Sequence, residues 1–257
     1  MSSNPVELPN RPEPLSLVNV TTRAELEGKI LAHFQDGRGF SLATLNLDHI
    51  VKMRQSPEFR RAYEAHSYVV ADGNPIVWLS RLAGRSIELI PGSELIEPLS
   101  NLAAANNAPV AMLGATQEAL DLAATRLEQA NPGLVVCAKI APPFGFDPNG
   151  ADAAACLAEI DASGARICFL ALGAPKQEVL AARGAELAPN CGFVSIGAGL
   201  DFIAGSQTRA PVWVRKLALE WVWRLLGNPG RLAGRYARCI MILPGLTWNA
   251  LALRRKH

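Results

Sequence analysis

Asp72 stands at the mouth of a short apolar run, "SYVVA" (67–71), and opens the turn Asp72-Gly73-Asn74-Pro75. The run reads as a buried strand, and a carboxylate at its end is placed to act as a general base. The same side chain is equally suited to an Asx-turn or a helix cap. Thr44 and Asn46 close the run "SLATLNL" (41–47). Alternation along a strand turns both to one face, where they need a ligand or a hydrogen-bonded strand end. A third candidate is "ALGAPKQE" (171–178). There Gly173 permits close backbone approach and Pro175 marks a helix start. Lys176 and Gln177 then fall in the first turn, beside free N–H groups suited to a phosphate or sugar hydroxyl. "MLGATQ" (112–117) offers a similar strand–glycine–helix turn at Gly114, without the full GxGxxG fingerprint.

Other chemistries lack their residues. The chain has no Walker A sequence, no GxSxG, no HExxH and no Asp-x-Asp clamp for a metal-bound sugar nucleotide. The five cysteines (Cys137, Cys156, Cys168, Cys191, Cys239) show no CxxC spacing and mostly sit in apolar runs, as in a reduced cytosolic core. The four histidines (His33, His49, His66, His257) are scattered, and no metal site is expected.

Positioning these loops requires elements, and the middle of the chain supplies them in alternation. Strands are expected at 41–47, 67–71, 109–115, 133–140, 166–173 and 191–199. Helical stretches lie between them, one of them broken at Pro57. This pattern predicts an α/β, Rossmann-like parallel sheet with helices on both faces. Residues 1–16 carry four prolines and no apolar core of a signal peptide, so they read as a flexible leader. The α/β body is then expected over 17–205 and a helical tail over 206–257.

The net charge of +2 conceals an asymmetry, because from Arg209 onward there are ten Lys/Arg and one acid. The preceding 208 residues hold 15 basic and 22 acidic side chains. A basic tail on an acidic body points to a polyanionic partner. The stretch "RAPVWVRKLALEWVWRLL" (209–226) combines this charge with Trp213, Trp221 and Trp223. Trp is costly in water and Arg is costly to bury unpaired, so the segment calls for an apolar phase beside negative charge. Read as a helix, 231–243 puts Arg231, Arg235 and Arg238 on one face, with Leu232, Tyr236, Ile240 and Leu243 a quarter to half a turn away. Such a helix can lie in a membrane interface with the three tryptophans and Trp248 near the headgroups. No run is long enough for a transmembrane helix.

The pieces "TLNLDHIV", "ADGNPIVWLSRLAG", "IPGSEL", "LGAPKQE", "GAGLDFIAGSQTRAP" and "LALEWVWRLLGNPGRLAGRY" occur in this order over about residues 38–245. Together they resemble the WecG/TagA/CpsF family of bacterial glycosyltransferases. The resemblance implies inverting transfer of a hexose from a UDP-sugar to a polyprenyl-diphosphate-linked saccharide. The reaction would take place at the cytoplasmic face of the inner membrane, on a peripheral enzyme with no cofactor and no metal. It assigns the general base to Asp72 and pocket-lining roles to Thr44, Asn46 and Gln177. Gly199, Asp201 and Arg209 join Gly114, Gly173 and Lys176 as substrate-binding candidates through the matched segments. Arg224 and Arg231, with Arg235, are expected to stabilise the departing diphosphate in place of a metal. Where many members read Glu-Arg-Val-Pro-Gly, this chain has Glu88-Leu89-Ile90-Pro91-Gly92. Arg85 is then the nearest substitute for the missing arginine. A nucleotide-dependent dehydrogenase is the first rival, though the glycine fingerprint is missing. A nucleic-acid-binding module is the second, though its aromatics are not interleaved on a strand. Nucleic acid is therefore not expected as a partner, whereas self-association is plausible for a tail that folds on its own or a neighbour's body.

Overall fold

The computed structural model describes residues 13–208, 210–211, 213–214 and 217–255, with Arg231 described through its backbone alone. A 3-10 turn (Pro14–Leu17) precedes α1 (Arg23–Asp36), β1 (Phe40–Leu45), α2 (Leu47–Gln55), α3 (Pro57–Ala65), β2 (Tyr68–Ala71) and α4 (Asn74–Leu82). Next come α5 (Ile96–Ala105), β3 (Val110–Gly114), α6 (Gln117–Ala130), β4 (Val136–Ile140), α7 (Ala151–Ala162), β5 (Ile167–Ala171), α8 (Lys176–Leu187) and β6 (Gly192–Ser195). The described chain ends in α9 (Gly199–Ala204), α10 (Glu220–Gly227) and α11 (Pro229–Arg254).

All six strands lie in one parallel sheet of order β2-β1-β6-β5-β3-β4. Consecutive strand residues point to opposite faces, so the apolar runs fill two cores. Leu42, Val70, Met112, Phe169 and Val194 meet Leu26 of α1, Leu99 of α5 and Leu120 of α6 on one face. On the other, Ala43, Leu45 and Val69 pack with α2, α3 and α4, while Leu113, Leu170 and Phe193 pack with α7 and α8. The doubly covered parallel sheet expected from the alternation is what the chain forms.

The outermost strands are finished differently. Beyond β2, Asn19 and Val20 donate backbone N–H groups to Val69 O, and Asn19 Oδ1 accepts from Val69 N. On the other side β4 ends the sheet, with Lys139 exposed and paired with Asp121 of α6.

Several boundaries move relative to the sequence reading. Residues 41–47 do not remain extended to their end, because Asn46 accepts a hydrogen bond from His49 N at 3.0 Å and starts α2. Pro57 does separate two helices. Ser56 caps the second by accepting from Phe59 N, and Pro57 occupies its first turn. Leu15, assigned to the flexible leader, is buried in the same cluster as Val69 and Ile76.

The tail is likewise tied to the body. Leu246 and Ala250 of α11 are fully buried in that cluster, against elements that include α2 and α4. Asn249 Nδ2 also donates to Glu13 Oε1 at 2.8 Å. The composition changes near residue 205, but the apolar core continues through α11. Arg209 lies outside the described residues. Among those described, no helix is long and apolar enough to cross a membrane.

Candidate active site

The carboxyl ends of β1, β2, β5 and β6 open into a cavity of about 680 Å³, closed on the far side by α10 and α11. Strand ends in a parallel sheet leave side chains and loop N–H groups free, so this is the edge at which such folds bind ligands. Gly92 brings the loop after α4 across this edge. A Cβ there would stand 2.8 Å from Ser195 O and 3.2 Å from Thr44 Cγ2, so only glycine lets the loop pass.

Asp72 sits on the cavity wall just past β2, with its own N–H donating to Leu45 O at 2.8 Å. It does not cap α4. Gly73 takes that place without any side-chain bond, so the carboxylate is not spent on the turn. Burial lifts the Asp72 pKa to about 6, against a hydrogen bond from Asn46 and the positive charge of Arg224. Glu220 pushes it further upward, and Thr44 Oγ1, donating to Oδ2 at 3.5 Å, pulls it down. A carboxyl in this range can accept a proton near neutral pH and release it again.

Asn46, Thr44, Gly173 and Gln177 all line the same cavity. Gln177 is nearly fully buried. Its Oε1 accepts from Gly197 N at 3.1 Å and its Nε2 donates to Glu178 Oε1 at 2.8 Å, which fixes the orientation of its amide. Arg224 and Arg235 reach the cavity from α10 and α11. Arg224 pairs with Glu220 at 2.7 Å, and Arg235 pairs with Asp48 at 3.0 Å. The side chain of Arg231 lies outside the described residues.

The remaining candidates lie elsewhere. Arg85 donates to the backbone oxygens of Leu15 and Val18 at 3.0 and 2.5 Å, so it holds the N-terminal segment and leaves the cavity wall to Leu89. Lys176 faces a smaller groove beside Glu58 and Asp147. Gly114 lies against β5, where a Cβ would meet Ala171 backbone atoms at 2.5 Å; close strand packing accounts for it. Gly199 is a packing glycine too, since a Cβ would stand 2.5 Å from Ile96 Cδ1. Asp201 accepts from Ser206 and Gln207 and so ties down its own loop.

Of the tryptophans, Trp221 lines the cavity and meets Tyr236 edge-to-face at 5.8 Å. Trp213, Trp223 and Trp248 are exposed, as is Arg238, which donates to Gly234 O.

The structure adds residues that the motifs did not mark. Asp48 holds Lys52 at 2.8 Å as well as Arg235. Burial works to raise its pKa, but the Lys52 hydrogen bond and the two cationic charges outweigh it, so the carboxyl stays below its ordinary value. The i,i+4 spacing of Asp48 and Lys52 was readable as a helical pair; the third partner, 187 residues away from Asp48, was not. Trp78 is also exposed within the cavity wall. His49, which nothing in its spacing singled out, is buried behind Thr44 and Asn46. Cys239 lines the cavity on the α11 side. Among the described residues no three His, Cys, Asp or Glu side chains converge as a metal site would require.

A sequence model of the glycosyl transferase WecG/TagA/CpsF family matches residues 15–257. The chain belongs to this family. It is therefore a glycosyltransferase of a kind that serves cell-surface polysaccharide synthesis. The match runs through α10 and α11, so it includes the segments that close the cavity.

Proposed function

We infer that the protein transfers a hexose from a UDP-sugar to a polyprenyl-diphosphate-linked saccharide by a single inverting displacement. N-acetylmannosamine, its uronic acid and glucose are the candidate sugars. Asp72 deprotonates the acceptor hydroxyl, which attacks the anomeric carbon as the bond to UDP breaks. The UDP leaves with the electron pair of the broken C–O bond, one negative charge more than in the donor, beside Arg224, Arg231 and Arg235. The observation that carries this reading is the state of Asp72: a carboxyl not used as a cap, facing a cavity and lifted to about 6. Thr44 and Asn46 hold it from one side and Arg224 acts on it from the other.

The guanidinium groups supply the positive charge that a metal supplies in other transferases. The expectation of metal independence rests on them and on the missing Asp-x-Asp. Transfer should persist in EDTA, and complete loss restored by Mg²⁺ or Mn²⁺ would contradict it. Exposed Trp213, Trp223 and Trp248 beside tail arginines support peripheral attachment to an anionic membrane surface, at the cytoplasmic face where UDP-sugars are made.

The test of the central step is Asp72→Asn. Turnover should fall by roughly 10²-fold or more with UDP binding retained. Wild-type turnover in the folded variant would remove Asp72 from the mechanism. A thermal-shift series of UDP-sugars identifies the donor, because a ligand at 100 times its Kd adds about 2.7 kcal/mol of stability.

A further inference from the structure

A hydrogen bond from Asn46 works to hold the Asp72 pKa down, and the Asn46 amide has two ends alike in size but opposite in action, one donating and one accepting. Only the Nδ2 end supports an ionised Asp72. The structure contains a device that decides which end is presented. His49 Nδ1 lies 2.6 Å from Tyr63 Oη and 2.8 Å from Thr44 O, and Tyr63 Oη donates to Thr44 O at 2.8 Å. With the Tyr63 proton directed at Thr44 O, a bare Nδ1 would face two oxygens with no proton between them, so Nδ1 carries the ring proton. Nε2 is then a bare acceptor, and it faces Asn46 Nδ2 at 3.4 Å. At the other end of the amide, Asn46 Oδ1 accepts from His49 N at 3.0 Å.

We propose that His49 is a positioning residue, whose backbone N–H and ring Nε2 together clamp the Asn46 amide with Nδ2 toward Asp72. The series runs Tyr63 and Thr44 O, His49, Asn46, Asp72, from the protein interior to the cavity. His49 is almost fully buried at the cavity wall and acts through Asn46. Burial keeps the ring neutral, with a pKa of about 4, and Lys52 and Arg235 push in the same direction while Asp48 opposes them. The clamp therefore does not switch near neutral pH. Around Asp72 itself the charged or titratable neighbours are Arg224 and Glu220 of α10 and Tyr63 of α3. Arg224 and Glu220 belong to another element, whereas Tyr63 touches His49 directly, its Oη 2.6 Å from Nδ1.

The inference rests on the reading of Asp72 as the base, but its test does not use turnover. In the wild-type protein, ¹⁵N spectra of the imidazoles should show His49 as the Nδ1–H tautomer over pH 6 to 8; a proton on Nε2 would overturn the proposal. His49→Asn keeps a donor for Thr44 O but has no acceptor where Nε2 was. The Asp72 carboxyl, followed by ¹³C NMR, should then titrate upward by roughly half a unit to one unit as its donor is lost. His49→Gln reaches the Nε2 position with an amide oxygen and should restore the wild-type midpoint. Equal midpoints in all three proteins would refute the clamp. If the Asn variant does not fold, the wild-type tautomer still decides, and a Gln midpoint away from the wild-type one counts against the clamp. Full transfer activity in Asp72→Asn would remove the base assignment alone and leave these titrations untouched.

Discussion

Glu178 is fully buried behind Gln177, and its Oε2 has no hydrogen-bond partner among the described residues. Burial raises its pKa to about 7, well above its value in an unfolded chain, despite the bond from Gln177. The unfolded chain therefore loses this proton first as pH rises. Stability from the protonated form is complete below about pH 4.5 and declines through pH 7. Glu178→Gln removes that dependence while keeping an acceptor for Gln177. It should raise the unfolding free energy at pH 8 by roughly 2–3 kcal/mol relative to its effect at pH 4.5, measured by urea denaturation at the two pH values. Asp72, Thr44, Asn46 and Gln177 were legible in the sequence because each ends an apolar strand or opens a helix, where a polar residue stands out. His49 and Glu178 were not, because a polar residue inside a helix looks solvent-facing until the neighbouring elements are placed.

At the scale of elements, α11 is held by two different kinds of contact. Leu246 and Ala250 bury apolar surface at one end, and Arg235 meets Asp48 near the other. Asp48→Asn leaves Arg235 and Lys52 without their shared carboxylate. Both cations are partly exposed, so water compensates much of the loss, and the expected destabilisation is about 1–2 kcal/mol. The local effect should be larger than the global one. Cys239 lines the cavity between these two anchor points, and burial raises its thiol pKa, which disfavours the thiolate. Labelling with a thiol reagent should become faster at Cys239 in the variant, with the four other cysteines replaced by serine or alanine; an unchanged rate would mean the ion pair does not hold the helix. The alternation of strands and helices was plain from residue 41 to 199, since apolar runs of that length admit few other readings. The integration of α11 was hidden. Its sequence is apolar on more than one side, so the buried face (Leu246, Ala250) could not be told from the exposed one (Ile240, Met241, Trp248).

For the molecule as a whole, charge and apolar exposure coincide at one end. Trp248 is 73% exposed and Met241 69%, on a helix that also carries Arg238 and Arg254. Trp248→Ala should weaken binding to vesicles containing anionic lipid by severalfold, through loss of an interfacial aromatic, and leave turnover on a water-soluble acceptor analogue near wild type. Co-sedimentation at two salt concentrations checks it, and equal loss of turnover on the soluble analogue would show that Trp248 supports the cavity instead. The opposite end of the molecule carries the sheet's unfinished side. β2 has borrowed a covering segment at Asn19 and Val20, whereas β4 ends the row with Lys139 exposed. An outermost strand is a template on which a strand from another chain can grow, and a charged side chain is what makes such stacking unfavourable. Lys139, paired with Asp121, puts a charged side chain on this open edge, which disfavours the growth of a further strand there.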